Sequence, residues 1–340
     1  MQAAATALGV VIASLQAIAG SMTVGTATAV VLALGGMYVP LVLLVGRLDD
    51  VLAARAALVR VVELSAIPEP AAGAAALPAH GTLEFERVGF AYLPGRPVLA
   101  GVDLTIAPGE RLGLVGATGS GKSTIARLAV GLARPGAGRV RLGDVDLADA
   151  SEASRRRRLA LLVQAAFLMD GTIADNVLLA APHAGRDAVE AAVDRLALRP
   201  WVASLPAGVA SPAGPGGAAL SAGERQLVSL LRVVVADPAV VALDEATSLL
   251  DARTEALVAA ALDRALRGRT VVIIAHRQAT AARCDRVGLV AAGRLVAVGA
   301  HAELMRERPD YRRLFAVSAA RSRAPRAGPG RPAGLPPCPS

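Results

Sequence analysis

One lysine, Lys122, stands among 36 lysines and arginines, and aromatic residues make up only 2% of the 340 residues. There are two cysteines, Cys284 and Cys338, far apart and without metal-ligand spacing. That excludes a disulfide framework and a cysteine zinc site, and both read as reduced cytosolic thiols. The shortage of aromatics bears on the net charge of +8. Nucleic-acid partners call for basic patches interleaved with stacking rings. Here half of the excess lies at Arg321, Arg323, Arg326 and Arg331, in a tail without acidic residues. The other basic block, Arg155 to Arg158, has no aromatic neighbours and reads as a solvated helix face. No nucleic acid is expected. Residues 1 to 46 lack Asp, Glu, Lys, Arg and His altogether.

What is present is strongly apolar: 54% hydrophobic residues and a mean hydropathy of +0.50 exceed ordinary soluble composition. The uncharged stretch divides at Gly20-Ser21-Met22-Thr23 into runs at 3–19 and 24–46. Each is close to the ~20 residues with which a helix crosses a bilayer, so a transmembrane hairpin is expected. A buried soluble hairpin would share the same small residues, whereas a secretory signal fits poorly without a basic start. Charge begins at Arg47, with Arg55 and Arg60 following. The positive-inside tendency puts that end in the cytoplasm. Pro40 should kink the second span. From Arg47 to Leu64 apolar residues recur at helical spacing, which extends the second helix beyond the membrane. Residues 65–81, with Pro68, Pro70, Gly73, Pro78 and Gly81, read as a linker.

At Thr82 the pattern turns to strands, Thr82 to Phe85 and Val98 to Ile106, and then to alternating strands and helices. An α/β domain with a largely parallel sheet follows. Its organising stretch is Gly116-Ala117-Thr118-Gly119-Ser120-Gly121-Lys122-Ser123-Thr124, which fits GxxxxGKS after the apolar strand Arg111 to Val115. Glycines there let backbone N–H groups turn inward around phosphate oxygens, and the next helix, Ser123 to Leu132, adds its dipole. Lys122 is placed for the β and γ phosphates of ATP, and the Ser123 hydroxyl for Mg²⁺. A composition so biased to arginine keeps lysine where a compact ammonium is required.

Two further apolar runs, Ala239 to Leu243 and Thr270 to Ala275, are candidate central strands. The first ends in Asp244-Glu245. Two carboxylates there suit either capping of the following helix or catalysis, Asp244 holding Mg²⁺ and Glu245 polarising an attacking water.

Leu220-Ser221-Ala222-Gly223-Glu224-Arg225-Gln226, ahead of the Asp244-Glu245 strand, resembles the signature motif of the ATP-binding cassette (ABC) family. With the phosphate loop, the chain resembles ABC exporters that fuse transmembrane helices ahead of the cassette. The fold implied is an α/β P-loop NTPase (ABC ATPase) domain preceded by an α-helical transmembrane hairpin. The resemblance implies that Ser221, Ala222, Gly223 and Glu224 face ATP held by an opposing cassette, Ala222 replacing the usual first glycine. Ser221 stands at the N-cap of a helix running toward Val235, which suits an anion. It further implies that Tyr92, on a loop, stacks on adenine, that Gln164 senses Mg²⁺ and the attacking water, and that Phe167 to Asn176 touches the membrane domain. Asp251 closes the D-loop, Ser248 to Asp251. His276 matches the switch histidine between the γ-phosphate and Glu245.

Two departures accompany it. Family members carry six helices per half, and this chain shows what resembles the last two; over Ser211 to Gly217, just before the signature, exporter cassettes often carry a glutamate, and Pro215 stands near that place. The resulting domain expectation is 1–64 partial transmembrane domain, 65–81 linker, 82–317 ABC domain and 318–340 disordered basic tail. The expected activity is ATP hydrolysis driving efflux across the cytoplasmic membrane, by a homodimer or a heterodimer with another ABC subunit. The alternatives are a non-transporting ATPase fragment and a soluble ABC ATPase acting on nucleic acid or ribosomes.

Overall fold

The structure is a computed structural model that describes residues 2–66, 73–163, 167–244 and 252–315. The chain divides into two compact units, one up to residue 71 and one beyond it.

The first unit is helical. Helix α1 (Gln2–Ile18) ends where Gly20 adopts φ +73°, and α2 (Val24–Ser65) begins behind Thr23, whose side chain accepts from the Thr26 N–H. The expected extension past Arg47 is present, because α2 runs continuously through Pro40 and on to Ser65. At ~1.5 Å per residue a helix needs about 20 residues for the hydrocarbon core. By length and composition only α2 among the described helices meets that need, so one of the two expected spans stands out and α1, with 17 residues, is shorter.

The second unit opens with β1 (Leu83–Leu93), β2 (Arg96–Ile106) and β3 (Arg111–Val115), followed by α3 (Lys122–Ala129). Strands β4 (Ala137–Leu142) and β5 (Val145–Asp146), helix α4 (Glu152–Arg158) and β6 (Leu159–Leu162) come next. A helical layer of α5 (Ile173–Leu178), α6 (Arg186–Arg195), α7 (Arg199–Ala203) and α8 (Ala222–Ala236) precedes β7 (Val240–Asp244). The unit closes with α9 (Ala252–Ala265), β8 (Thr270–Ile274), α10 (Gln278–Ala281), β9 (Arg286–Ala291), β10 (Arg294–Gly299) and α11 (His301–Glu307), beyond which residues 309–315 are helical.

Six strands form one sheet in the order β10-β9-β3-β8-β7-β6, parallel except for β10. Strand β8 is buried throughout and β7 along all but its last residue, which is why both read as unbroken apolar runs. A second sheet, β2-β1-β4-β5, is antiparallel. The expectation of one largely parallel sheet missed it. Bulges between Phe85 and Val88 and between Val88 and Phe90 break the period-two alternation that would announce a strand as long as β1.

The linker expectation also needs correction at its second half. Residues 73–81 lie against the second unit: Ala75 bridges Ala150, Leu77 is buried, and its N–H donates to Ser154 Oγ at 2.7 Å. Gly73 fits because a Cβ there would stand 1.8 Å from the Asp149 carbonyl oxygen. Only a glycine passes that close to another backbone.

Candidate active site

Strand β3 feeds the phosphate loop from the middle of the sheet, and the loop's shape depends on two glycines. Gly116 has φ +153° and Gly121, at the N-cap of α3, has φ +108°. A Cβ at Gly116 would meet the Val290 carbonyl oxygen at 2.1 Å, and one at Gly121 the Leu99 side chain at 2.6 Å. No other residue type fits either place. Lys122 opens α3 and is 5% exposed. Its ammonium bends back to donate to the carbonyls of Gly116 and Ala117, at 2.9 and 2.8 Å. Burial lowers its pKa, while the nearby Asp244 carboxylate acts to raise it. An ammonium has three donors, so two carbonyls leave one for a ligand. Ser120 Oγ is buried and has no hydrogen-bond partner among the described residues, whereas Ala117, Thr118, Gly119 and Ser123 are exposed. A buried hydroxyl without a partner is costly unless something supplies one.

Register brings further groups to the same edge. Leu114 on β3 aligns with Ile274 on β8, and Ile274 with Asp244 on β7. Gly116, Asp244 and His276 therefore all emerge at the carboxyl end of the parallel strands, where such sheets bind ligands. Asp244 is half-buried and His276 exposed. Gln164, Glu245 and Asp251, together with the rest of the expected D-loop, lie outside the described residues. Of the expected Mg²⁺ donors, Ser123 and Asp244 are described, two hard oxygen ligands of the kind that Mg²⁺ takes. No cluster of three or more His, Cys, Asp or Glu suited to a metal occurs among the described residues, and Gln164, the third expected donor, lies outside them.

Tyr92 lies on strand β1, near its end, rather than on the loop where it was expected. It is 53% exposed, packs edge-on to Phe90 at 4.7 Å, and shares a 3.4 Å hydrogen bond with Thr124 Oγ1 of α3. Arg127 donates to its hydroxyl at 3.1 Å. The hydroxyl is thus anchored to α3, two contacts that tie the half-exposed ring to the helix that follows the loop. Arg127 was not among the expected residues, although its place one turn after Thr124 on α3 was a usable signal.

The signature stretch is a helix start. Ser221 Oγ accepts from the Glu224 N–H at 3.3 Å, and the Glu224 carboxylate accepts in return from the Ser221 N–H at 2.8 Å. Trp201 Nε1 donates to the same carboxylate at 3.1 Å. Burial pushes the Glu224 pKa up, but the Ser221 hydrogen bonds and Trp201 bring it below the usual value. Glu224 thus points back into its own chain. Ser221 and Ala222 are exposed, and Gly223 is buried. Pro215 sits in a 3-10 turn, Pro215–Gly217, and Arg225 ties the following residues by donating to the Gly217 and Leu220 carbonyls. Helix α8 packs on α5, α6 and α9, while α3 packs on β7 and β8, so the signature and the phosphate loop have different neighbours.

A third group went unread in the sequence. Arg232 on α8 donates to the Asn176 carbonyl at 2.8 Å, to Asn176 Oδ1 at 2.9 Å and to the Phe167 carbonyl at 3.0 Å. Burial lowers its pKa. These bonds hold the segment after Gln164 against the signature helix from 56 and 65 residues away.

Comparison with known proteins gives consistent matches. The family profile described as "ABC transporter" matches residues 99–248. The fatty acid ABC transporter ATP-binding/permease protein of Mycobacterium bovis is 36% identical over 304 residues, 87% of this chain and 47% of that protein. The ATP-dependent lipid A-core flippase of Chromobacterium violaceum is 39% identical over 252 residues, 73% of this chain and 43% of the flippase. The mycobactin import ATP-binding/permease protein IrtB of Mycolicibacterium smegmatis is 45% identical over 217 residues, 64% of this chain and 38% of its own. Among solved structures, a bacterial Atm1-family ABC exporter with ATP bound matches with TM-score 0.67 and 32% identity, covering 94% of this chain and 57% of the exporter. The chain spans about half the length of the curated relatives it matches.

Proposed function

Because this chain belongs to the ABC transporter family, we propose that it is an ATP-hydrolysing subunit of a membrane exporter, working as a dimer in the cytoplasmic membrane. The observation that carries this reading is the shared edge: the Gly116 to Thr124 loop, Asp244 and His276 emerge side by side from β3, β7 and β8. ATP is held with its adenine on Tyr92 and its phosphates in the loop, where Lys122 and the Ser120 hydroxyl gain a partner. Mg²⁺, held by Ser123 and Asp244, with Gln164 completing the set, would neutralise charge on the β and γ phosphates. Glu245 takes the proton of the attacking water, and His276 keeps Glu245 and the γ-phosphate in register. Ser221, Ala222 and Gly223 contact the ATP of the partner chain, and Glu224 holds their turn in shape. Asp251 belongs to the loop between the two sites.

Export is the direction proposed, although relatives named for flipping, fatty acid transport and import all match. Substrate identity belongs to the membrane helices, of which this chain has few. The chain's apolar α2 favours a membrane protein over a soluble cassette acting on nucleic acid.

The test is nucleotide binding and turnover by the purified chain and two variants. Glu245→Gln should bind ATP about as well as the parent and lose turnover at least ~100-fold, the scale of a missing general base. Lys122→Ala should lose ATP affinity itself. Full turnover in Glu245→Gln would remove Glu245 from the chemistry, and unchanged affinity in Lys122→Ala would remove the loop.

A further inference from the structure

The arginine block left unexplained by ATP chemistry closes helix α4. Arg155 turns inward to donate to the Leu147 carbonyl at 3.3 Å, and Arg156 pairs with Glu152 one turn back. The Arg157 and Arg158 guanidiniums have no hydrogen-bonding or ion-pair partner among the described residues. A helix C-terminus favours cations, but its dipole amounts to roughly half a charge. Four guanidiniums exceed that requirement. Their backbone is fixed, because the Ala239 N–H ahead of β7 donates to the Arg158 carbonyl at 2.8 Å.

Beside this last turn lies an open cleft of about 810 Å³, lined on its other sides by residues 179–184 and the end of α8. Arg156, Arg157, Arg158 and His183 line it, with Leu179 and Val235 supplying apolar wall. Its carboxylate, Asp237, is taken by the Arg269 guanidinium at 2.5 Å. The cleft therefore presents two guanidiniums, Arg157 and Arg158, that no carboxylate among the described residues engages. Its volume lies within the ~300–1,000 Å³ of small-molecule sites. No Phe, Tyr or Trp lines it, which counts against stacked bases.

We propose that this cleft binds a phosphate ester, away from the phosphate loop. Forked guanidinium donors match phosphate oxygens in pairs, and the apolar wall accommodates the carbon body that carries them. The chemistry is shared by soluble phosphate esters and by phospholipid headgroups with a free phosphate.

The experiment uses the full chain in amphipol, with the phosphate loop occupied by ATP in EDTA. Glycerol 3-phosphate, dihexanoyl phosphatidic acid and dihexanoyl phosphatidylcholine are titrated by calorimetry. Saturable binding of either phosphomonoester, without binding of the choline lipid, is expected. Tighter binding of the phosphatidic acid assigns the site to a lipid headgroup, and equal binding assigns it to a soluble ester. The double variant Arg157→Gln/Arg158→Gln should weaken binding at least tenfold while the KM for ATP stays unchanged, which also shows that it is folded. Charge reversal in Arg157→Glu should do the same. Absence of saturable binding, equal affinity for the choline lipid, or undiminished affinity in both variants would overturn the site.

Discussion

At the scale of single residues, Glu224 joins two tasks that its motif does not separate. Its carboxylate accepts from the Ser221 N–H while the Ser221 hydroxyl accepts from its own N–H, so the turn that we propose faces a partner's ATP is shaped by a reciprocal cap. Replacing it in Glu224→Ala should lower stability by about 1 kcal/mol, the usual worth of such a cap. Because the folded pKa lies below the usual carboxylate value, the contribution is complete above the unfolded pKa of about 4.3 and fades as pH falls through the folded one. Unfolding midpoints of the two proteins should thus differ at pH 7 and converge well below pH 4. A gap that persists at low pH would mean that the carboxylate charge is not what holds the turn. The spacing Ser221-x-x-Glu224 made the cap legible in sequence, yet Glu224 was expected to face nucleotide, because a motif gives spacing and not the Trp201 indole that draws the carboxylate inward. Lys122 was legible for the opposite reason: its partners, Gly116 and Ala117, lie within six residues of it.

At the scale of elements, strands β7 and β8 were readable because burial on both faces leaves only apolar residues in them. Strand β1 was readable only at its start, since its bulges shift the alternation, and residues 73–81 looked like linker because prolines and glycines also permit close docking. The coupling of α8 to the segment after β6 was not readable at all. It rests on Arg232, whose bonds to Phe167 and Asn176 span the helical layer. Asn176 in turn accepts from the Met169 N–H and donates to the Met169 and Thr172 carbonyls. Arg232→Leu leaves several acceptors unmet and should loosen this segment by about 2 kcal/mol, as for lost bonds to a charged donor. Hydrogen exchange read at residues 167–178 should accelerate about 30-fold. Arg232→Lys should recover only part of the protection, because a single ammonium cannot replace the fork. Unchanged exchange in the leucine variant would place the anchor elsewhere.

At the scale of the whole molecule, the separation of the loop from the signature is the feature with the furthest consequence. Helix α3 is packed on β7 and β8, whereas α8 is packed on α5, α6 and α9. A site that needs both can be completed by a second copy, with each loop facing the other's Ser221 to Gly223. That arrangement makes a prediction about mixtures rather than about single proteins. Chains carrying Lys122→Ala cannot hold ATP in their own loop, and chains carrying Ser221→Ala cannot complete the loop of a neighbour, so each alone should be nearly inactive. When they pair with each other, one composite site has both defects and the second has neither. Random pairing at equal amounts of a two-fold dimer makes half of the dimers mixed, with one intact site in two, so about a quarter of the parent's sites are restored. ATP turnover of the co-expressed pair should therefore rise to about that fraction, if each site works independently. Turnover no higher than the mean of the two separate variants would mean that each chain completes its own site, and the head-to-tail dimer would fall with it.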